Sequence, residues 1–331
     1  MDSRRRDLRR LNAVSTGAPG AMRVVVTGAG GFIGRSLVRR LVGQGHQVTA
    51  LDHIVHAGPN VKAIEGDVTD PDVIARAVEG GCDAVLHLAT MPGGAAETDP
   101  IGARRINIDA VIALSEAATA AGAAPRFVFA SSIAVLGSLL PPVVDDDTSV
   151  RPQLVYGVHK AMIEQWLATF SRRGAVDAIS IRLPGIVARP PGRSGMKSAF
   201  MSEVFHALRA GKAFTSPVAA DATMWLMSLD RAVDAFVHAM TLKAPLPDSR
   251  AITLPALRVR MDELVSAIAR RTGADVESVE YAPDRDLQIA FGAYPRLSTP
   301  IADGLGFVHD GATDALVASA LATIAKQEPA Q

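Results

Sequence analysis

Residues 22 to 52 read MRVVVTGAGGFIGRSLVRRLVGQGHQVTALD. The stretch opens on an apolar, β-branched run and crosses a turn rich in glycine. It continues with leucine and valine at helical spacing and closes on a second apolar run ending in Asp52. That pattern predicts a strand buried on both faces, a turn of nearly bare backbone, a helix and a second strand. Gly28, Gly31 and Gly34 fall three apart at the strand-to-helix turn. Without side chains there, backbone N–H groups and the positive end of the helix can meet a pyrophosphate. Asp52 is placed to accept hydrogen bonds from an adenosine ribose, and its charge opposes a 2′-phosphate, so NAD is favoured over NADP. An ordinary tight turn is the competing reading, but strand, turn, helix, strand and terminal acid all coincide.

Outward from this unit the alternation repeats. Apolar runs at 61–65, 83–89, 126–132 and 178–183 read as further buried strands, and helical patterns occupy 71–79, 101–121 and 153–173. Strand then helix, repeated, predicts an α/β fold with a doubly wound parallel sheet of Rossmann type. After residue 184 the rhythm loosens. Helices near 196–211, 230–242, 260–272 and 312–326, with short strands near 251–254 and 277–281, suggest a smaller mixed C-terminal lobe that takes substrate. The expected division assigns residues 22–184 and about 226–250 to the cofactor domain, and about 185–225 and 251–331 to the substrate lobe.

Composition sets the bounds. The chain of 331 residues exceeds what one core comfortably supports. Lysine and arginine total 34 and so do aspartate and glutamate, so no global field draws the chain to nucleic acid or to an acidic membrane. Cys82 is the single cysteine; it excludes an intramolecular disulfide and cysteine-based zinc spacings, and it suits a reducing cytoplasm. No metal site is expected. No run approaches the roughly 18 uninterrupted apolar residues of a membrane span. Residues 1–21, MDSRRRDLRRLNAVSTGAPGA, are basic, then small and polar, and read as a disordered tail outside the fold.

A second constellation carries chemistry. Ser132 ends the run FVFASS, and two dozen residues later YGVHK sets Tyr156 and Lys160 four apart, on one face of a helix. A phenol of ordinary pKa near 10 acts as a base near neutral pH only if positive charge stabilises its phenolate. Lys160, one turn away, and an oxidised nicotinamide can supply that charge, while Ser132 holds a substrate hydroxyl. The chain has 3 tyrosines, which makes a chance Tyr-x-x-x-Lys behind a dinucleotide fingerprint a poor alternative.

These motifs, with GDVTD at 66–70, HLA at 87–89, Asn107 in INIDAVIALSEAA, SSIAVLG at 131–137 and YGVHKAMIE at 156–164, resemble the extended short-chain dehydrogenase/reductases, the NAD-dependent epimerase/dehydratase family. The likeness runs from Met22 to about residue 245. It implies that Gly28, Gly31, Phe32, Ile33, Gly34, Asp52, Asp67, Val68, Ala89, Asn107, Tyr156, Lys160 and Pro184 bind NAD, with Asp67 and Val68 flanking adenine and Pro184 beside the nicotinamide. It implies a catalytic triad of Ser132, Tyr156 and Lys160, and a possible homodimer through the Tyr156 helix. Within the family, FSRRGAVDAISIRLPGIVARPPGR and the late GFVHDGATDALV resemble dehydrogenases of small sugar acids. Nucleotide-sugar members carry an Arg-Asp-Phe element whose arginine meets the diphosphate; here the corresponding stretch is TMWLMS, Thr223 to Ser228, and the cation is missing.

The resemblance thus implies oxidation of a secondary alcohol on a small sugar acid to a 2-oxo acid. A nucleotide-sugar epimerase or dehydratase, and a non-catalytic NAD-sensing regulator on the same fold, are the alternatives. Several residues have two readings. Arg189, Arg193 and Lys197 follow the nicotinamide-side loop, where a substrate carboxylate needs a cation, or they form a solvated basic loop. Trp225 contacts substrate or belongs to the core. His87 and His159 are structural or acid/base groups, and Arg182 on an apolar strand is a buried ion-paired arginine or a substrate ligand. Deleting residues 1–21 should leave the melting temperature and NAD affinity unchanged, because the first strand begins at about Arg23; loss of either in the truncated protein would show that the segment packs on the domain.

Overall fold

Valines 24, 25 and 26 show why the first run forms a strand. Val24 and Val26 enter one core and Val25 the other, so the strand Arg23–Thr27 (β1) is buried on both faces. A computed structural model of the chain describes residues 20–192 and 197–327. Almost all of the expected basic tail, and Arg193, lie outside these residues. Gln47–Asp52 (β2), Val61–Glu65 (β3), Ala84–His87 (β4) and Arg126–Ser132 (β5) follow in the positions expected. With Asp177–Leu183 and Ala251–Thr253 they make a seven-stranded parallel sheet. From one edge, the order is Ala251–Thr253, Asp177–Leu183, β5, β4, β1, β2, β3. The order reverses between β1 and β4, and ligands of such sheets bind at the carboxyl ends of the strands flanking that point.

Helix Phe32–Gly43 (α1) and helix Leu229–Thr241 cover one face, closing a core around Leu37, Leu41, Val128, Ile181 and Phe236. Helices Pro71–Val78, Ala110–Ala120 and Val155–Arg172 cover the other, around Leu114, Phe127, Phe129, Ile163 and Leu167. A separate core, with Phe200, Phe205, Met224, Leu264, Ile268 and Leu316, belongs to the smaller lobe. There Gly185–Val187, Thr223–Ser228 and Leu257–Arg260 form a three-stranded sheet, parallel on one side of its central strand and antiparallel on the other.

Two expectations about the lobes are corrected. Ala251–Thr253, expected in the smaller lobe, pairs with Ser180–Arg182 and extends the main sheet. The helix Pro300–Gly304 also returns there, sending Ala302, and Phe307 beyond it, into the core beneath helix Leu229–Thr241. Conversely, Thr223–Ser228 lies wholly in the small sheet, so no boundary falls at residue 226. A three-residue strand carries no periodicity of its own; a partner strand decides which sheet it joins.

The helix that bears Tyr156 is fixed from behind by charge. Glu164, 2% exposed, accepts two hydrogen bonds from Arg182, at 2.9 and 2.8 Å, and one from Ser131 at 2.5 Å. Arg182 is therefore the ion-paired arginine, its side chain 11% exposed. Removing one member of a buried pair strands the other charge at a cost of about 3 to 5 kcal/mol, whereas replacing both with apolar residues is near neutral. Glu164→Ala should accordingly lower stability by that amount in denaturant unfolding, and the double change Glu164→Leu, Arg182→Met should recover most of it; equal losses in both would show that packing rather than charge matters there.

Candidate active site

The glycine turn packs backbone against backbone. Gly28 sits at φ +68°, and a Cβ on it would come within 2.7 Å of the Ala89 nitrogen at the end of β4. A Cβ on Gly34 would overlap the Gly28 carbonyl oxygen. The first turn of α1, capped by Gly31 without any side-chain hydrogen bond, keeps its N–H groups available for an anion. At the end of β2, Asp52 accepts a hydrogen bond from the Gly30 N–H at 2.9 Å and another from the His53 N–H at 2.7 Å. Each oxygen keeps a lone pair for a ribose hydroxyl. A cradle that side chains would fill, beside a fixed carboxylate, fits a dinucleotide with an unmodified ribose.

These residues open on one cleft of about 510 Å³. Of the residues expected to bind NAD or substrate, the glycines, Phe32, Ile33, Asp52, Asp67, Val68, Ala89, Ser132, Tyr156, Lys160, Pro184, Arg189 and Trp225 all line it. Asn107 does not. Its side chain lies in a π-helical turn, Arg105–Asp109, and is used up by the loop after β4, accepting from Thr90 Oγ1 and the Met91 N–H and donating to the Met91 carbonyl. It shapes the cleft through that loop. Asp67 is held as a carboxylate by the Thr69 N–H at 2.8 Å, which lowers its pKa.

Ser132 ends β5 and its hydroxyl accepts from the Ala134 N–H at 3.1 Å, which aims it at the start of the Val155–Arg172 helix. That helix is tied down at its first residue, where the Val155 N–H donates to Glu97 at 2.6 Å. Burial pushes the Tyr156 phenol up to about 12, against the pull of a hydrogen bond with Ser132 and of the Arg189 charge. Lys160, 1% exposed, lies over ring faces, its Nζ 4.5 Å from the Phe129 centroid and 5.4 Å from that of Tyr156. Burial drives its ammonium down to about 7, opposed by Glu164 one turn on. Charge reaches the phenol from an unexpected side. Arg189, left open between substrate ligand and solvated loop, turns into the cleft with its guanidinium 5.0 Å from the Phe32 ring, and its pKa is lowered by burial against the attraction of Tyr156. No carboxylate among the described residues pairs with it. Lys197 also lines the cleft, as an exposed residue.

The family pattern described as the NAD dependent epimerase/dehydratase family matches residues 24–253. The chain belongs to that family. It is 36% identical over 313 residues to the D-erythronate dehydrogenase of Cupriavidus necator, covering 89% of this chain and 97% of that protein. The D-erythronate dehydrogenase of Haemophilus influenzae is 31% identical over 300 residues, with 87% and 95% covered. Among solved structures, the nucleoside-diphosphate-sugar epimerase of Agrobacterium tumefaciens superposes with a TM-score of 0.83 at 29% identity, covering 92% of this chain and 96% of that one. Family and relatives make this chain an NAD-dependent dehydrogenase with NAD as its cofactor. No helix among the described residues is long and apolar enough to cross a membrane, and no cluster of three or more metal-ligating side chains occurs among them.

The cleft draws on residues far apart in the chain, and sequence reasoning missed several. Gly30 is the middle of the three glycines in GAGG, yet its N–H bond to Asp52 links turn to acid only in three dimensions. Phe291 and Tyr294 line the cleft from a segment without any motif. Trp225 resolves both ways: it is 1% exposed, its indole N–H is spent on the Pro295 carbonyl at 2.9 Å, and it still forms part of the lining. His87 is structural, wholly buried beneath Phe127 and Phe129, bonded to Thr27 at 2.8 Å and driven down to about 3 by burial and then by Lys160. The Asp52 carboxylate should set cofactor choice: Asp52→Ala should narrow the preference for NAD over NADP by about tenfold or more, read as the ratio of dissociation constants. Equal affinities in the unaltered protein would remove the role.

Proposed function

We propose that this dehydrogenase oxidises the C2 alcohol of a small sugar acid, D-erythronate or a close relative, to the 2-oxo acid. The observation that carries the reading is the meeting of Ser132, Tyr156 and the free cation Arg189 in the cleft that also contains the glycine turn and Asp52. Likeness to two D-erythronate dehydrogenases over most of the chain supports the substrate class. In this reading the Rossmann unit holds the cofactor, and the smaller lobe with the loop after Leu183 holds the acid.

The residues divide the work by chemistry. Arg189 holds the carboxylate, since a buried guanidinium without a carboxylate partner recovers its lost solvation from a substrate anion. Ser132 accepts or donates a hydrogen bond at the reacting hydroxyl and orients it toward Tyr156. Tyr156, as phenolate, takes the hydroxyl proton onto Oη. Lys160 binds the nicotinamide ribose and lies over the tyrosine ring, where its charge favours the phenolate. NAD, which the glycine turn and Asp52 would hold, would supply the acceptor for the hydride of the carbinol carbon. Burial holds the phenol near 12 in the free protein even against the pull of Ser132 and Arg189, so further positive charge, from Lys160 and the bound cofactor, must bring it down. A cytoplasmic setting, and a homodimer through the outer face of the Val155–Arg172 helix, where Val158 and Met162 are exposed, complete the reading.

Purified protein given NAD and a panel of four- to six-carbon aldonic acids and nucleotide sugars should accumulate NADH with a free acid. Absence of NADH from every acid, with NAD bound, would sink the proposal. Tyr156→Phe should cut turnover by about 10²- to 10⁴-fold with NAD affinity nearly intact, and near-normal turnover in that variant would remove Tyr156 as the base.

A further inference from the structure

Tyr294 approaches the cleft from outside every motif. Its backbone is clamped: the N–H donates to the Thr223 carbonyl at 3.1 Å, and the carbonyl accepts from Thr223 Oγ1 at 2.7 Å and from Arg258 Nε at 2.8 Å. Its ring stacks on Trp225, centroids 4.7 Å apart and planes 20° from parallel. Trp225 cannot shift to release it, being buried among Ile133, Val135, Leu136 and Val144 with its indole N–H spent. Ring and backbone are therefore fixed before any ligand arrives.

The phenolic oxygen is the exception. Among the described residues no side chain or backbone group hydrogen-bonds it, yet it is not among the sealed polar atoms that lack partners. Tyr294 lines the cleft, and a phenolic oxygen that is neither hydrogen-bonded within the chain nor sealed from solvent is available to what the cleft binds. Burial pushes the phenol up to about 12, with no other group acting on it, so it stays a neutral hydrogen-bond donor at any working pH. Once a ligand displaces cleft water, a neutral donor held rigidly in a largely apolar wall is costly unless the ligand satisfies it, and it discriminates strongly between ligands that can and cannot.

We propose that Tyr294 is a specificity residue whose phenol hydrogen-bonds a substrate hydroxyl remote from the reacting carbon. The inference rests on the sugar-acid reading above and deepens it. Arg189 and Tyr156 recognise features that any 2-hydroxy acid possesses; Tyr294 recognises the polyol chain that makes the acid a sugar acid. The neighbouring ring faces of Trp225 and Phe291 offer no polar group of their own, which leaves the phenol as the hydroxyl partner on that wall.

The test compares D-erythronate with 2-hydroxybutanoate, an acid of equal length that lacks the hydroxyls at C3 and C4. The unaltered enzyme should prefer D-erythronate by at least about tenfold in kcat/KM, and Tyr294→Phe, which keeps the ring stack, should reduce that preference about tenfold, as one lost hydrogen bond in a desolvated site requires. The change should fall mainly on KM. A preference that persists in Tyr294→Phe, or equal losses on both acids, would overturn the assignment, the second by marking a merely structural tyrosine. If the variant fails to fold, the unaltered enzyme alone still decides, because indifference between the two acids overturns the inference. Absence of NADH from both acids and from every other aldonic acid of the panel is a different failure: it overturns the sugar-acid reading, and the inference with it.

Discussion

The whole site depends on how closely the turn after β1 approaches the end of β4. Between Gly28 and Ala89 there is no room for a side chain, and α1 can begin where it does only because Gly34 lets its backbone rest on the Gly28 carbonyl. That contact sets the spacing of the two strands at the point where the sheet order reverses. It leaves the N–H groups of α1 facing a cleft rather than a side chain. It also brings the Gly30 N–H onto Asp52, so the acid placed for a ribose and the turn placed for a pyrophosphate are one rigid unit.

On the other side of the cleft, rigidity comes from charge instead of close backbone packing. Glu164 binds Arg182 and Ser131 beneath the Val155–Arg172 helix, and Glu97 holds the first turn. Lys160 stands one turn from Glu164, in an apolar setting that weakens its hold on a proton. Tyr156 sits in a similarly dry place, where burial opposes the ionised form that a base requires. The free site thus has cations near a phenol that does not ionise; in the proposed mechanism, cofactor and substrate complete the electrostatics.

In the proposed reading, substrate selection has a different logic from cofactor binding. Arg189 leaves the loop after Leu183 and turns back over Phe32, the first residue of α1. Trp225 and Tyr294 come from the small sheet and the segment beside it. The same Rossmann unit can therefore serve different substrates as the second lobe and one loop change, with the acid and base chemistry left in place.

Much of this was legible in the sequence, because it depends on local pattern. Strands buried on both faces must be uniformly apolar, helices must repeat every three to four residues, and a phosphate-binding turn must lack side chains; each rule acts within a dozen residues and left its mark at 23–52, 126–132 and 155–172. Ser132, Tyr156, Lys160, the glycines and Asp52 were found that way, and all face one cleft. Tertiary structure alone decided the rest. Ala251–Thr253 is too short to show its own sheet, Asn107 is consumed by a loop 16 residues earlier in the chain, and Arg189 enters the cleft where a solvated loop was an equal reading. Tyr294 carries no motif, and its value lies in a stack on a tryptophan about 70 positions away. Periodicity records what a residue's neighbours in sequence require of it; which side chains converge on a cleft is set by contacts between distant segments, and those leave no local pattern to read.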